Sequence, residues 1–211
     1  ILVYNYRTDK YEQPDTDFPT DVRTMVLQGD TLWIGSLNGL YTYQLKSRQL
    51  NHFDSKQTGL PHNTIYSIIH TKDNQIYIGT YNGLCRYVQA SGKFENILLP
   101  VNRGGSNLFV NSLLEDTTRQ CIWIGMEGYL FQYNPTIGEM KAIEVFHNNS
   151  IKSLALDGDE NLLAGTDNGL YVYQNDKEPL QHIIHDSRNI QSLTNNIIWN
   201  IFSDQEHNIW L

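Results

Sequence analysis

The sequence predicts an all-β protein, an arc of β-propeller made of four-stranded blades. Three observations predict it. One motif recurs five times at a spacing of about one blade. Each period divides into short strand-like runs separated by tight-turn residues. No segment of helical period lies between those runs.

The motif is an apolar run, a glycine and a hairpin. Its copies are Leu32-Trp33-Ile34-Gly35-Ser36 with Asn38-Gly39-Leu40-Tyr41, and Ile76-Tyr77-Ile78-Gly79-Thr80 with Asn82-Gly83-Leu84-Cys85. Then come Ile122-Trp123-Ile124-Gly125-Met126 with Gly128-Tyr129-Leu130, and Leu162-Leu163-Ala164-Gly165-Thr166 with Asn168-Gly169-Leu170-Tyr171. A fifth copy starts at Ile209-Trp210-Leu211. Successive motif glycines stand 44, 46 and 40 residues apart. A period of about 40–50 residues with several strands per unit marks propeller blades.

The second period shows the four strands. Ile65 to His70 is strand a, and Ile76 to Thr80 is strand b. Tyr81-Asn82-Gly83 is a hairpin in which Asn-Gly supplies positive φ. Leu84 to Gln89 is strand c, turning at Ser91-Gly92, and Phe94 to Leu99 is strand d. Strand b is apolar without alternation because stacked blades bury both of its faces. The glycine after it permits close approach between blades. By this reading Trp33, Trp123 and Trp210 share one core position.

The repeat divides the chain into a half-blade over 1–13, full blades over 20–53, 63–99, 107–146 and 149–185, and a half-blade over 196–211. The two half-blades could close on each other as a five-bladed ring; an arc of a larger ring is the favoured reading. Both termini fall inside a motif, so the chain reads as a section of a longer one.

Composition agrees. The 211 residues suffice for one sizeable core or two small ones. Charged residues are 18%, below the usual level of about a quarter. Thirteen Tyr and fifteen Gly suit short strands with tight turns. A net charge of −8 argues against a nucleic-acid surface. No run of apolar residues is long enough to span a membrane, and no signal peptide is visible. Cys85 and Cys121 lack metal spacing and read as buried free thiols, with a disulfide left open.

Catalytic and cofactor motifs are missing: no G-x-S-x-G, no Walker loop, no H-E-x-x-H. No cofactor or metal is expected. Gly104-Gly105 reads as a turn. His182 and His185 lie three apart on a strand and so face opposite sides. The acids Glu115-Asp116, Asp157-Asp159-Glu160 and Asp204-Glu206 recur in the a–b turn, which marks turn chemistry rather than a catalytic pair.

One column of the repeat points to a site. Strand a begins with a β-branched residue at Val22, Ile65, Val110, Ile151 and Ile198. The next residue is Arg23, Tyr66, Asn111, Lys152 and Trp199. A position that varies while its neighbours repeat is free of the fold's demands. These residue types bind sugars by stacking and polar contact. Strand a is innermost in a propeller, so the five are expected to line the mouth of the channel. His62, Arg103, Asn107, His147 and Arg188 in neighbouring loops are further ligand candidates.

The repeat resembles that of the two-component regulator propeller family, whose blade runs Leu-Pro-x-Asn-x-Ile-x-x-Ile, a turn with Asp and Gly, Leu-Trp-Ile-Gly-Thr, then Gly-Leu. Here that pattern stands as Leu60-Pro61-His62-Asn63-Thr64-Ile65-Tyr66-Ser67-Ile68, as Asn149 to Leu154 followed by Asp157, and as Leu193 to Ile201 followed by Asp204. Blade three departs at Met126 and Glu127, blade four at Leu163-Ala164, and blade two at Thr71. The resemblance implies a seven-bladed ring in the periplasmic sensor region of a hybrid two-component system. It implies an oligosaccharide ligand, with further blades and downstream sensor domains as partners. Histidine kinase chemistry, DNA binding and membrane attachment would lie outside this chain, which is then not an enzyme. Homodimerisation is a compatible arrangement. Two alternatives are a scaffold or dimerisation propeller without ligand and, further off, a polysaccharide-acting propeller enzyme.

Overall fold

The computed structural model describes residues 1–14, 17–101, 108–143, 149–174 and 181–211. It is all-β, as the repeat predicts. A two-stranded antiparallel sheet, β1 (Val3–Asn5) and β2 (Lys10–Glu12), comes first. Blade one is β3 (Val22–Gln28), β4 (Thr31–Ser36), β5 (Gly39–Gln44) and β6 (Leu50–Phe53). Blade two is β7 (Ile65–His70), β8 (Ile76–Thr80), β9 (Gly83–Val88) and β10 (Lys93–Ile97). Blade three is β11 (Val110–Asp116), β12 (Cys121–Met126), β13 (Tyr129–Asn134) and β14 (Glu139–Ile143). Blade four is β15 (Ile151–Leu156), β16 (Leu162–Thr166), β17 (Gly169–Tyr173) and β18 (Gln181–Ile183). A last pair, β19 (Phe202–Ser203) and β20 (Ile209–Trp210), begins a further sheet.

Every blade is an antiparallel meander in chain order. The first strands of successive blades pack on one another, so strand a forms the inner wall. The apolar residues gather in four clusters, each at a seam between two sheets. Trp33 and Leu40 of blade one meet Ile65, Ile76, Ile78 and Phe94 of blade two. Tyr77 and Leu84 of blade two meet Val110, Ile122 and Ile124 of blade three. Trp123 and Leu130 meet Ile151 and Leu162, and Leu163 and Val172 meet Ile198 and Ile201. Alternate residues of strand b thus serve opposite seams, which explains its uninterrupted apolar run.

The motif glycines make the seams close. A Cβ on Gly35 would stand 2.6 Å from Ile65 Cγ2, and one on Gly79 2.6 Å from Val110 Cγ1. Gly125 and Gly165 meet Ile151 and Ile198 at the same 2.6 Å. Each glycine faces the β-branched residue that opens the next blade. Hydroxyls two residues further into strand a tie neighbouring blades. The Ser112 Oγ accepts from the Leu154 amide at 3.1 Å, and the Ser153 Oγ accepts from the Ile201 amide at 3.0 Å.

Three expectations need correction. The b–c hairpin does not use positive φ at Asn. Gly39, Gly83 and Gly169 take it alone, while a hydroxyl closes the turn. The Thr80 hydroxyl donates to the Gly83 carbonyl (2.9 Å) and accepts from the Asn82 amide (3.1 Å). Ser36 and Thr166 do the same. Second, one short helix does lie between blades: α1 (Ser55–Thr58), capped by the Asp54 side chain and ended by Gly59 at φ 83°. Third, Trp210, which shares the column of buried Trp33 and Trp123, is 61% exposed at the end of β20. Trp33 and Trp123 are buried as expected.

Both cysteines are free and buried, so no disulfide joins them. Burial pushes the Cys85 thiol well above its ordinary range and the Cys121 thiol up to about 11. Thiolate, the reactive form, is suppressed. In the folded protein Cys85 is expected to react with a thiol reagent more than about tenfold slower than in denaturant. Fast labelling of native Cys85 would contradict its burial.

Candidate functional site

The site starts from an irregularity repeated in four blades. The pairing of strand a with strand b slips between Val22 and Thr24, Ile65 and Ser67, Val110 and Ser112, and Ile151 and Ser153. The slipped residues are Arg23, Tyr66, Asn111 and Lys152. A β-bulge leaves one residue out of the ladder and re-aims its side chain. Beside the slip Ile65, Val110 and Ile151 stay fully buried, while the slipped residues are exposed or half-buried. Trp199 holds the same column in the segment that leads into β19, next to buried Ile198.

The structure brings all five together. Arg23, Tyr66, Asn111, Lys152 and Trp199 line one cavity of about 290 Å³, with Phe109, Glu127 and Ser150. None of the five is buried between blades: Tyr66, Asn111 and Lys152 are half-buried, Arg23 is exposed, and Trp199 is 73% exposed. The Arg23 guanidinium stands over the Tyr66 ring at 5.8 Å, and the Lys152 ammonium over the Trp199 ring at 4.9 Å. Asn111 donates its amide to the Ile151 carbonyl at 3.0 Å, which fixes it across the seam. The result is an open shelf of aromatic faces, amide and cations running over four successive blades and the segment before β19.

The other candidates separate. The His62 ring lies 4.9 Å from Tyr81, which lies 4.2 Å from Phe109, so His62 borders the site without lining it. Its Nδ1 accepts from the Thr64 amide. Arg188 is exposed and paired with Asp186, away from the cavity. Arg103, Asn107 and His147 fall outside the described residues. Sequence reading missed Phe109 and Glu127. Phe109 shares a column with Asp21, Thr64, Ser150 and Ile197, and Glu127 with Leu37, Tyr81 and Asp167. Both columns vary between blades, so the same comparison carried one residue further, and to the b–c hairpin, would have found them.

The remaining polar features serve the fold. His182 stacks on Tyr171 at 4.1 Å and contacts the Asn168 carbonyl, while His185 contacts the Leu193 carbonyl. The turn acids hold turns: Asp157 accepts from the Asp159 and Asn161 amides, and Asp204 from Asn208 and the Trp210 indole. Among the described residues, no group of three or more His, Cys, Asp or Glu is placed to hold a metal ion. A cavity of about 430 Å³ lies at the other end of strand a, between blades one and two. Its polar groups are engaged with one another, Gln28 with Asn74 and Gln44 with Thr31, which makes it a hydrogen-bonded seam.

Fold and repeat define an arc of β-propeller whose inner strands carry a variable column beside one cavity. Over residues 59–82 the chain matches the family described as a two component regulator propeller. Over 99% of its length it is 79% identical, with a TM-score of 0.95, to part of the extracellular domain BT4673 of B. thetaiotaomicron, described once as a one-component and once as a hybrid two-component system. The extracellular domain BT3049 of a hybrid two-component system of the same organism is 22% identical over 98% of the chain, with a TM-score of 0.79, and supports the fold. Histidine kinase P4 of Formosa agariphila is 25% identical over the whole chain. The chain spans 28% of each of those extracellular domains and 17% of that kinase. Among the described residues no helix is long and apolar enough to cross a membrane.

Proposed function

We propose that this chain is part of the periplasmic sensing region of a hybrid two-component receptor, and that its mouth binds an oligosaccharide. The observation that carries the reading is the convergence of five bulge-column residues on one open cavity. Trp199 and Tyr66 offer ring faces for sugar stacking, and Asn111, Arg23 and Lys152 offer polar contacts. The likeness to extracellular domains of such systems supports the compartment and the receptor role. Binding would favour one arrangement of the region over another and so bias a kinase elsewhere in the protein.

A thermal-shift and calorimetry screen of the intact protein against purified oligosaccharides tests this. Stabilisation by a defined oligosaccharide is expected, with Trp199→Ala weakening binding about tenfold or more, as for an aromatic anchor. Binding untouched by Trp199→Ala would move the site away from the mouth.

A further inference from the structure

We infer that the ligand of the mouth is an acidic oligosaccharide, bearing carboxylate or sulfate groups. This rests on the reading of the mouth as a saccharide site and adds the sign of its ligand. The chain has 23 acids against 15 Lys and Arg, so its average field repels anions. The cavity runs against that balance. Its lining holds two cations, Arg23 and Lys152, and one acid, Glu127.

Among the described residues, neither Arg23 nor Lys152 makes an ion pair. Each instead stands over an aromatic ring, and the Lys152 ammonium reaches a hydroxyl, Ser150 Oγ, at 3.5 Å. Both heads are thus held in place in a lining that has two cations to one acid.

The order along the arc fits a chain-like acid. Arg23 comes from blade one, Tyr66 from blade two, Asn111 from blade three, Lys152 from blade four and Trp199 from the segment before β19. Asn111 donates to the Ile151 carbonyl, which leaves its Oδ1 for a sugar hydroxyl. A guanidinium fork takes a carboxylate or sulfate in bidentate fashion, and the ammonium takes either as a point charge. The two cations would hold acidic groups at separate points of one ligand, with sugar rings stacked on the aromatic faces.

Matched ligand pairs test the charge apart from the saccharide. Calorimetry on the intact protein would compare a short oligogalacturonate with its methyl ester, which keeps every ring and removes the charge. A sulfated disaccharide and its desulfated form make a second pair, and neutral glucan oligosaccharides complete the set. The expected result is that the acid form of at least one pair binds tenfold or more tighter than its neutral partner, with affinity falling as salt rises. Which pair responds tells carboxylate from sulfate. Arg23→Gln and Lys152→Gln should each cost the acid form about tenfold, as for a lost hydrogen bond to a charged group, and narrow the acid-to-neutral ratio. Trp199→Ala should weaken both forms alike. Equal or tighter binding of a neutral sugar would overturn the acidic ligand and leave the saccharide mouth standing. No binding of any probe by a protein folded by circular dichroism would overturn both.

Discussion

Gly79→Ala is expected to destabilise the protein by about 3 kcal/mol, the upper range for an overpacked core. The added Cβ would lie 2.3 Å from Ser67 Oγ, 2.6 Å from Val110 Cγ1 and 2.7 Å from the Val110 carbonyl oxygen. The serine can turn away, but the carbonyl belongs to the first strand of the next blade and moves only if that blade moves. The seam would have to open along Tyr77, Leu84, Val110 and Ile124, all buried there. Gly138→Ala separates this from backbone strain. Gly138 sits at φ 72° with nothing within 4 Å of a Cβ, so only the left-handed conformation resists substitution, at about 1 kcal/mol. For a unit of this size the first change should lower Tm by roughly 6–12 °C and the second by roughly 2–4 °C. Equal shifts would mean that the motif glycine is kept for its conformation rather than for the approach of blades.

That glycine also shows why the fold was legible in the sequence. A blade cannot bury two apolar faces alone, so the same demands recur from seam to seam: a glycine near the end of strand b, a β-branched residue opening strand a and, in three of the four hairpins, a hydroxyl. Recurrence turns a weak local signal into a strong one. α1 has no repeat partner among the described residues, and its four residues between Asp54 and Gly59 leave no periodicity to detect. The hairpin Asn looked like a positive-φ residue because Asn-Gly is a common signal for it. The hydroxyl of Thr80 or Ser36, two residues before, offered a second way to close the same turn.

The site was legible by the opposite rule, variation inside recurrence. Arg23, Tyr66, Asn111, Lys152 and Trp199 stood out because the residues around them repeat. Sequence could not give the reason, which is the bulge. A regular strand would point this column to the face opposite Val22 or Ile151, into a seam; the slipped register frees it. Arg188 failed as a member because a loop position carries no register to fix its direction, and Asp186 holds it elsewhere.

Asp116→Ala is expected to be the most damaging single change, at about 3–5 kcal/mol, the cost of removing one partner of a buried ion pair. The carboxylate is fully buried. It accepts from the Trp123 indole at 3.0 Å and from the Arg119 backbone amide at 2.9 Å, and it pairs with the Arg119 guanidinium. Truncation would strand the buried indole N–H and leave the half-buried guanidinium without its carboxylate beneath the seam of blades three and four. Asp116→Asn keeps an acceptor for the indole and loses the charge, so it should cost less. The same contacts set an acid dependence. Burial pushes this carboxyl up, but donation from Trp123 and Arg119 outweighs it, and the pKa ends below the ordinary carboxylate range. A group lowered on folding stabilises fully above its unfolded pKa, about 3.9, and loses that contribution as pH falls through the folded value. Wild type should therefore lose part of its margin over Asp116→Asn as pH drops below about 4, measured as the difference in urea midpoint. A difference that stays constant from neutral pH down through that range would show that Asp116 acts by shape and hydrogen bonding, with its charge contributing nothing.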